Sequence, residues 1–139
     1  MSKKLEPYKY EFLDEFDIVE ESDKLKFIRN LEERTIKFAI NIIKLCAKLP
    51  NTTEGKLIRY QLSKSGTSIG ANYREANRAR SKADFKSKIK ICEGESSETD
   101  YWLEIIEAMR WLNPGDLDPM LKEGKELLAI FTSISKNLY

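Results

Sequence analysis

Residues Ser63–Phe85 read SKSGTSIGANYREANRARSKADF. The stretch opens on small residues, with Gly66 and Gly70 four apart, and closes on a basic run. A phosphate-cradling loop and a close-packed helix both use glycines at such spacing, and they lead to different folds. A P-loop needs Lys-Ser or Lys-Thr straight after its last glycine and a strand ahead of it. Here Ala71 and Asn72 follow Gly70, and the flanks are helical. At about 100° per residue, Ile58, Leu62, Ser65, Ile69, Tyr73 and Ala76 fall in one stripe. The spacing therefore predicts a helix over about 54–79, with Lys56, Arg59, Lys64, Arg74 and Arg78 on its flanks and far side. Each glycine inside a helix costs about 1 kcal/mol relative to alanine. Close approach of a neighbouring backbone offsets that cost. The neighbour is either another helix of the same chain or a second subunit, which makes Gly66 and Gly70 candidate oligomer-interface residues.

The same reading extends in both directions. Leu31, Thr35, Phe38, Ile42, Leu45 and Leu49 alternate steps of four and three, the seam of a bundle helix over about 24–48. Ile36, Ile40 and Ile43 widen its apolar surface. Pro50 ends it, and Thr52 or Thr53 starts the second helix as N-cap. Ser81 followed by Asp84 resembles a capping box and opens a third helix over about 82–112. Its core seam is Phe85, Ile89, Cys92, Ser96, Thr99, Leu103 and Ile106. A second apolar stripe, Ile91, Trp102, Ile105, Met109 and Leu112, lies to one side. Asn113–Pro119 reads as a turn. A fourth helix follows over about 118–137, with Leu121, Leu128, Phe131 and Leu138 on one line and Met120, Leu127 and Ile134 beside it. Short connections make neighbours antiparallel, so the fold class is all-α, an up-down antiparallel four-helix bundle. Residues 23–139 form the bundle domain. Residues 1–22 are an N-terminal extension without a helical period, either lying along the domain through Tyr8, Tyr10, Phe12 and Phe16 or loosely ordered.

Composition narrows the function. The chain has 139 residues, enough for one domain with a real core, and no histidine, which removes the commonest general base and a common metal ligand. Glu95, Glu98 and Glu104 share one helix, whereas a di-metal bundle spreads its carboxylates over several helices and adds histidine. No metal, cofactor or catalytic residue is predicted. Cys46 and Cys92 fall inside helical patterns and read as buried free thiols. No apolar run approaches the roughly 20 residues that span a bilayer, and the start lacks a signal-peptide core, so a cytoplasmic location is expected. Asn72 and Ser65 project toward the core, where Asn72 is expected to bond a neighbouring helix.

The net charge is only +1, but its distribution is uneven. Residues 1–34 carry −3, 35–55 carry +2, 56–90 carry +8 and 91–139 carry −6. The basic segment supplies a candidate nucleic-acid face of Lys56, Arg59, Lys64, Arg74, Arg78, Arg80, Lys82 and Lys86, which would read phosphate charge rather than base edges. The competing reading is a solvated face neutralised by the acidic C-terminal third. The surplus stripe of the third helix, Ile91, Trp102, Ile105 and Met109, is the other candidate oligomer interface, because monomers rarely expose large apolar patches.

Several segments together resemble a known family. Glu33-Arg34, the Gln61–Ala76 run QLSKSGTSIGANYREA, Ser81–Lys88 and the Glu95–Leu103 run are similar to motifs of the bacterial four-helix-bundle proteins encoded in intervening sequences of 23S rRNA genes. The resemblance spans about residues 30–112. It implies a left-handed up-down bundle assembling as a homopentameric ring, with no known catalytic activity. A distant branch is the accessory variability determinant of diversity-generating retroelements, which partners a reverse transcriptase and binds nucleic acid through a basic bundle surface. The resemblance thus implies RNA or DNA, and a reverse transcriptase or ribonucleoprotein, as partners. The function expected is a non-enzymatic oligomeric bundle that binds nucleic acid through the second helix and early third helix. The alternative is a structural or protein-interaction module.

Overall fold

A computed structural model describes residues 6–138. Two short 3₁₀ turns, Pro7–Lys9 and Glu11–Phe16, lead into α1 (Glu21–Cys46). Three helices follow: α2 (Thr53–Asn77), α3 (Lys82–Met109) and α4 (Pro114–Lys136). No strand occurs among the described residues. The four helices form a bundle in which α2 packs on α1 and α3, and α4 packs on α3 and α1. The contacts run in opposite directions along each adjacent pair. Gly66 and Gly70 of α2 meet Ile42 and Thr35 of α1. Thr99 donates to Ser65, Cys92 to the Ile69 carbonyl and Lys88 to Glu75. Arg34 and Lys48 of α1 reach Glu123 and Asp116 of α4.

The predicted seams are the core. Every residue assigned to the α1, α2 and α3 seams is buried. On α4 the buried line is Leu117, Met120, Gly124, Leu127, Phe131 and Ile134, while Leu121 and Leu128 are only half-buried. The two glycines of α2 are used inside the chain. A Cβ on Gly66 would stand 2.9 Å from Ile42 Cγ2, and one on Gly70 2.9 Å from Thr35 Oγ1, so a side chain at either position forces α1 side chains to move. Asn72 does not bridge helices; its amide donates to the Ser68 carbonyl of its own helix at 2.8 Å. Ser65 is the cross-helix residue, accepting from Thr99 at 3.0 Å.

Helix ends follow local chemistry. Thr52 caps α2, its hydroxyl accepting the Gly55 N–H at 3.0 Å, and Ser81 caps α3 by accepting from Asp84 N–H at 3.1 Å. Such caps contribute about 1 kcal/mol each. The helix α4 begins at Pro114, four residues earlier than the Asn113–Pro119 turn reading predicts. Pro114 occupies the first helical position, where an N–H is not needed, and Asn113 caps it by accepting from Gly115 N–H at 3.1 Å. Pro119 then sits inside the helix, leaving the Gly115 carbonyl without its helical donor in an exposed turn. At the other end α3 stops at Met109, because Arg110 adopts the left-handed conformation (φ 54°). Trp111 and Leu112 consequently lie in the connector, half-buried against the core.

The N-terminal segment packs onto the bundle. Phe12 and Leu13 are 4% and 1% exposed and join the main core, whereas Phe16 is half exposed. Phe12 stands edge-on to Phe27 of α1, and Tyr8 packs on Phe85 of α3. The Tyr8 hydroxyl and Lys9 ammonium donate to the Ala79 and Asn77 carbonyls, each at 3.0 Å. Lys24, nearly enclosed, bonds Asp14 at 2.6 Å with its ammonium over the Tyr10 ring. These contacts seal the end of the bundle where α2 finishes and α3 begins.

Candidate nucleic-acid interface

The structure divides the predicted basic face. Lys56 lies in the first turn of α2 and Arg78 just beyond its last residue. At 1.5 Å per residue they are roughly 33 Å apart along the helix. Lys64, also exposed, lies between them. Arg59 is engaged inside the chain: its Nε donates to the Cys46 carbonyl at 3.0 Å and its Nη2 to the Leu49 carbonyl at 2.9 Å. It closes the C-terminal end of α1, where carbonyls lack helical donors. On the wheel it lies about 80° from the core stripe, on the same flank as Gly66 and Gly70, which is the side the structure shows packed on α1.

The remaining cations gather at one end. Arg74, Arg78, Arg80, Lys82 and Lys86 are exposed, and none is in an ion pair among the described residues. They do not share a single cleft. Arg74 and Arg78 line one of about 420 Å³ with Glu32, Glu75 and Asn77. Lys82 lines another of about 210 Å³ with Tyr8, Glu11 and Glu15 of the N-terminal segment. Arg80 lies in the connector between them. The next two lysines of α3 are occupied. Lys88 bonds Glu75 at 2.7 Å, which raises its pKa, and Lys90 is 3.7 Å from Glu93. The contacts of Tyr8 and Lys9, which hold the 77–79 backbone under these cations, lie outside any periodic pattern that sequence reading uses.

The predicted interface residues also divide. Gly66 and Gly70 are taken up by the α1–α2 contact. Ile91 and Met109 are 39% and 50% exposed, while Trp102 and Ile105 are half-buried against the core. The Trp102 indole donates to Glu98 at 3.3 Å and stands edge-on to Tyr101. On α1 the Ile36, Ile40 and Ile43 row is exposed by 43–54%. The seam between α1 and α4 is the sparsest of the four, and Arg34 bridges it with a two-pronged bond to Glu123 (2.7 and 2.6 Å) and a further contact to Glu126.

Burial shifts the titratable groups of the interior. Burial pushes the Cys92 thiol up to about 12 and raises that of Cys46. Burial raises Tyr73, fully enclosed and edge-on to Phe131. Burial also raises Asp100 to about 6, with Glu104 adding to the shift and Lys125 opposing it. Asp100 Oδ1 is buried without a hydrogen-bond partner and faces Gly124 of α4.

Residues 30–133 match the family described as 23S rRNA-intervening sequence protein. The chain belongs to that family. No curated protein matches it. Among solved structures it is similar to a protein of unknown function from the S23 ribosomal protein family of Bacteroides thetaiotaomicron VPI-5482, at 33% identity and a TM-score of 0.71. The match covers 78% of this chain and 97% of that one. The Glu33-Arg34, Gln61–Ala76 and Glu95–Leu103 motifs all lie within the family span. The packed N-terminal segment lies outside it. No helix among the described residues is long and apolar enough to cross a membrane.

Proposed function

We propose that the protein is a non-enzymatic, cytoplasmic, homo-oligomeric bundle that binds nucleic acid or a ribonucleoprotein at the end carrying Arg74, Arg78, Arg80, Lys82 and Lys86. The observation that supports this reading is five exposed cations within thirteen residues, all outside the described ion pairs. Lys82 and Lys86, unlike Arg74 and Arg78 at the C-terminal end of α2, are placed against helix stability. Lys82 and Lys86 stand at the positive end of α3, where acids are favoured, and the last turn of α3 has no base. Charge set against the macrodipole is accounted for by an external polyanion. The exposed isoleucine row of α1 and the stripe of α3 supply surface for self-assembly, with a homopentameric ring as the form. A reverse transcriptase or another ribonucleoprotein component is the class of protein partner.

The test is fluorescence anisotropy with a structured RNA. Four to five phosphate contacts predict a loss on the order of a hundredfold between about 50 and about 200 mM salt. Arg78→Glu with Lys82→Glu should weaken binding by more than about tenfold. Absence of binding at low salt refutes the reading. The second reading, an interaction module without nucleic acid, is favoured by the acidic C-terminal third. It predicts that the same double substitution breaks the oligomer instead, read by sedimentation.

A further inference from the structure

An apolar groove of about 410 Å³ opens where the N-terminal segment crosses the bundle. Phe12, Phe16 and Ile18 form one wall, Phe27 of α1 the second, and Ala129 and Ile130 of α4 the third. Phe12 is closed into the core, but Phe16 is 51% exposed, and Val19 just beyond it is 64% exposed. The groove is therefore preformed at its floor and open at its rim. Its rim is acidic. Residues 11–27, which build two of the three walls, hold seven acids against two lysines, and one of those, Lys24, is buried on Asp14. Asp17 and Glu20 are exposed beside Phe16, Ile18 and Val19.

Two of these walls lie outside the family span, and the third, on α4, lies within it. The family span starts at residue 30, after Phe12, Phe16, Ile18 and Phe27. A preformed apolar groove with an acidic rim suits a segment with large apolar residues on one side and lysine or arginine on the other. We propose that this groove docks a basic amphipathic segment of a partner protein. The groove shares Phe12 with the Lys82 cleft and no residue with the Arg74 and Arg78 cleft, and peptide and RNA are assayed as separate ligands, so the two readings are tested separately.

The test uses the full chain and two fluorescein-labelled 14-residue amphipathic peptides of equal leucine pattern, one with lysine and one with glutamate at the polar positions. The Leu/Lys peptide should bind saturably and about tenfold or more tighter than its Leu/Glu twin. Phe16→Ser and Ala129→Arg, both at exposed positions, should each weaken it by about tenfold without changing the circular dichroism or the melting temperature. Equal affinity for the two peptides, absence of saturable binding, or binding indifferent to both substitutions overturns the proposal. So does self-association of the wild type that both substitutions abolish, because the occupant is then a second copy of this chain.

Discussion

Asp100→Asn should remove a pH dependence that the wild-type protein carries. The carboxyl sits in the α3–α4 contact with Oδ1 unpartnered, and burial raises its pKa from 3.8 to about 6. A raised carboxylate pKa means that the folded state disfavours the ionised form. Between these two values the folded state holds more protons than the unfolded one, so stability falls as pH rises through this window. Below about 4 the carboxyl is protonated in both states and the penalty vanishes. Above about 6 it is fully developed. The full difference corresponds to about 3 kcal/mol. Water on the outer side of the group reduces it, and about 1–2 kcal/mol is the expected effect. Asparagine keeps the shape and removes the charge. Urea unfolding of both proteins at equal concentration, at pH 4.5, 5.5, 7 and 8, isolates the contribution, because the other carboxylates cancel in the difference. The variant should gain about 1 kcal/mol on the wild type between the lowest and highest pH, since roughly a third of the penalty has already developed by pH 4.5. Any constant cost of the amide shifts the whole curve without tilting it. A difference that stays flat across the series refutes the reasoning.

Three further substitutions test the packing. Arg59→Ala should cost about 1–3 kcal/mol in urea unfolding, since it strips two buried-side donors from the end of α1, while RNA affinity stays at the wild-type value. Gly66→Ala gains about 1 kcal/mol of helix propensity but forces Ile42, stiff and fully buried, to move from a 2.9 Å contact. With an overpacking cost of about 1–3 kcal/mol, the net should be neutral to about 2 kcal/mol destabilising, read from the urea midpoint. Arg110→Gly should stabilise by about 1 kcal/mol, because glycine adopts φ 54° without the Cβ penalty; a lower melting temperature would contradict it.

The bundle was legible because burial imposes a period. Leu31 to Leu49, Ile58 to Ala76 and Phe85 to Ile106 repeat as helix geometry demands, and each residue of those rows is buried. The start of α4 was not, because Pro114 and Pro119 carry opposite meanings that one composition signal cannot separate. A lone charge is equally ambiguous. Arg59 and Arg74 look alike in sequence, yet one reaches back to the preceding helix and the other faces solvent. Wheel position distinguishes them only once the side on which α1 packs is known. The N-terminal segment escaped because 3₁₀ turns and aromatic anchors follow no 3.6-residue period.

That segment has a consequence for synthesis. It leaves the ribosome before its docking sites, which come much later: Asn77 and Ala79, then Ile130 and Ile134. Phe12, Leu13 and Phe16 therefore travel without their partners while most of the protein is being made. Glu11, Asp14, Glu15 and Asp17 are interleaved with them. Repulsion between nascent copies keeps the aromatic residues from finding one another. The acids of the segment that walls the groove in the finished fold thus also act as a built-in solubility tag during the interval before it exists.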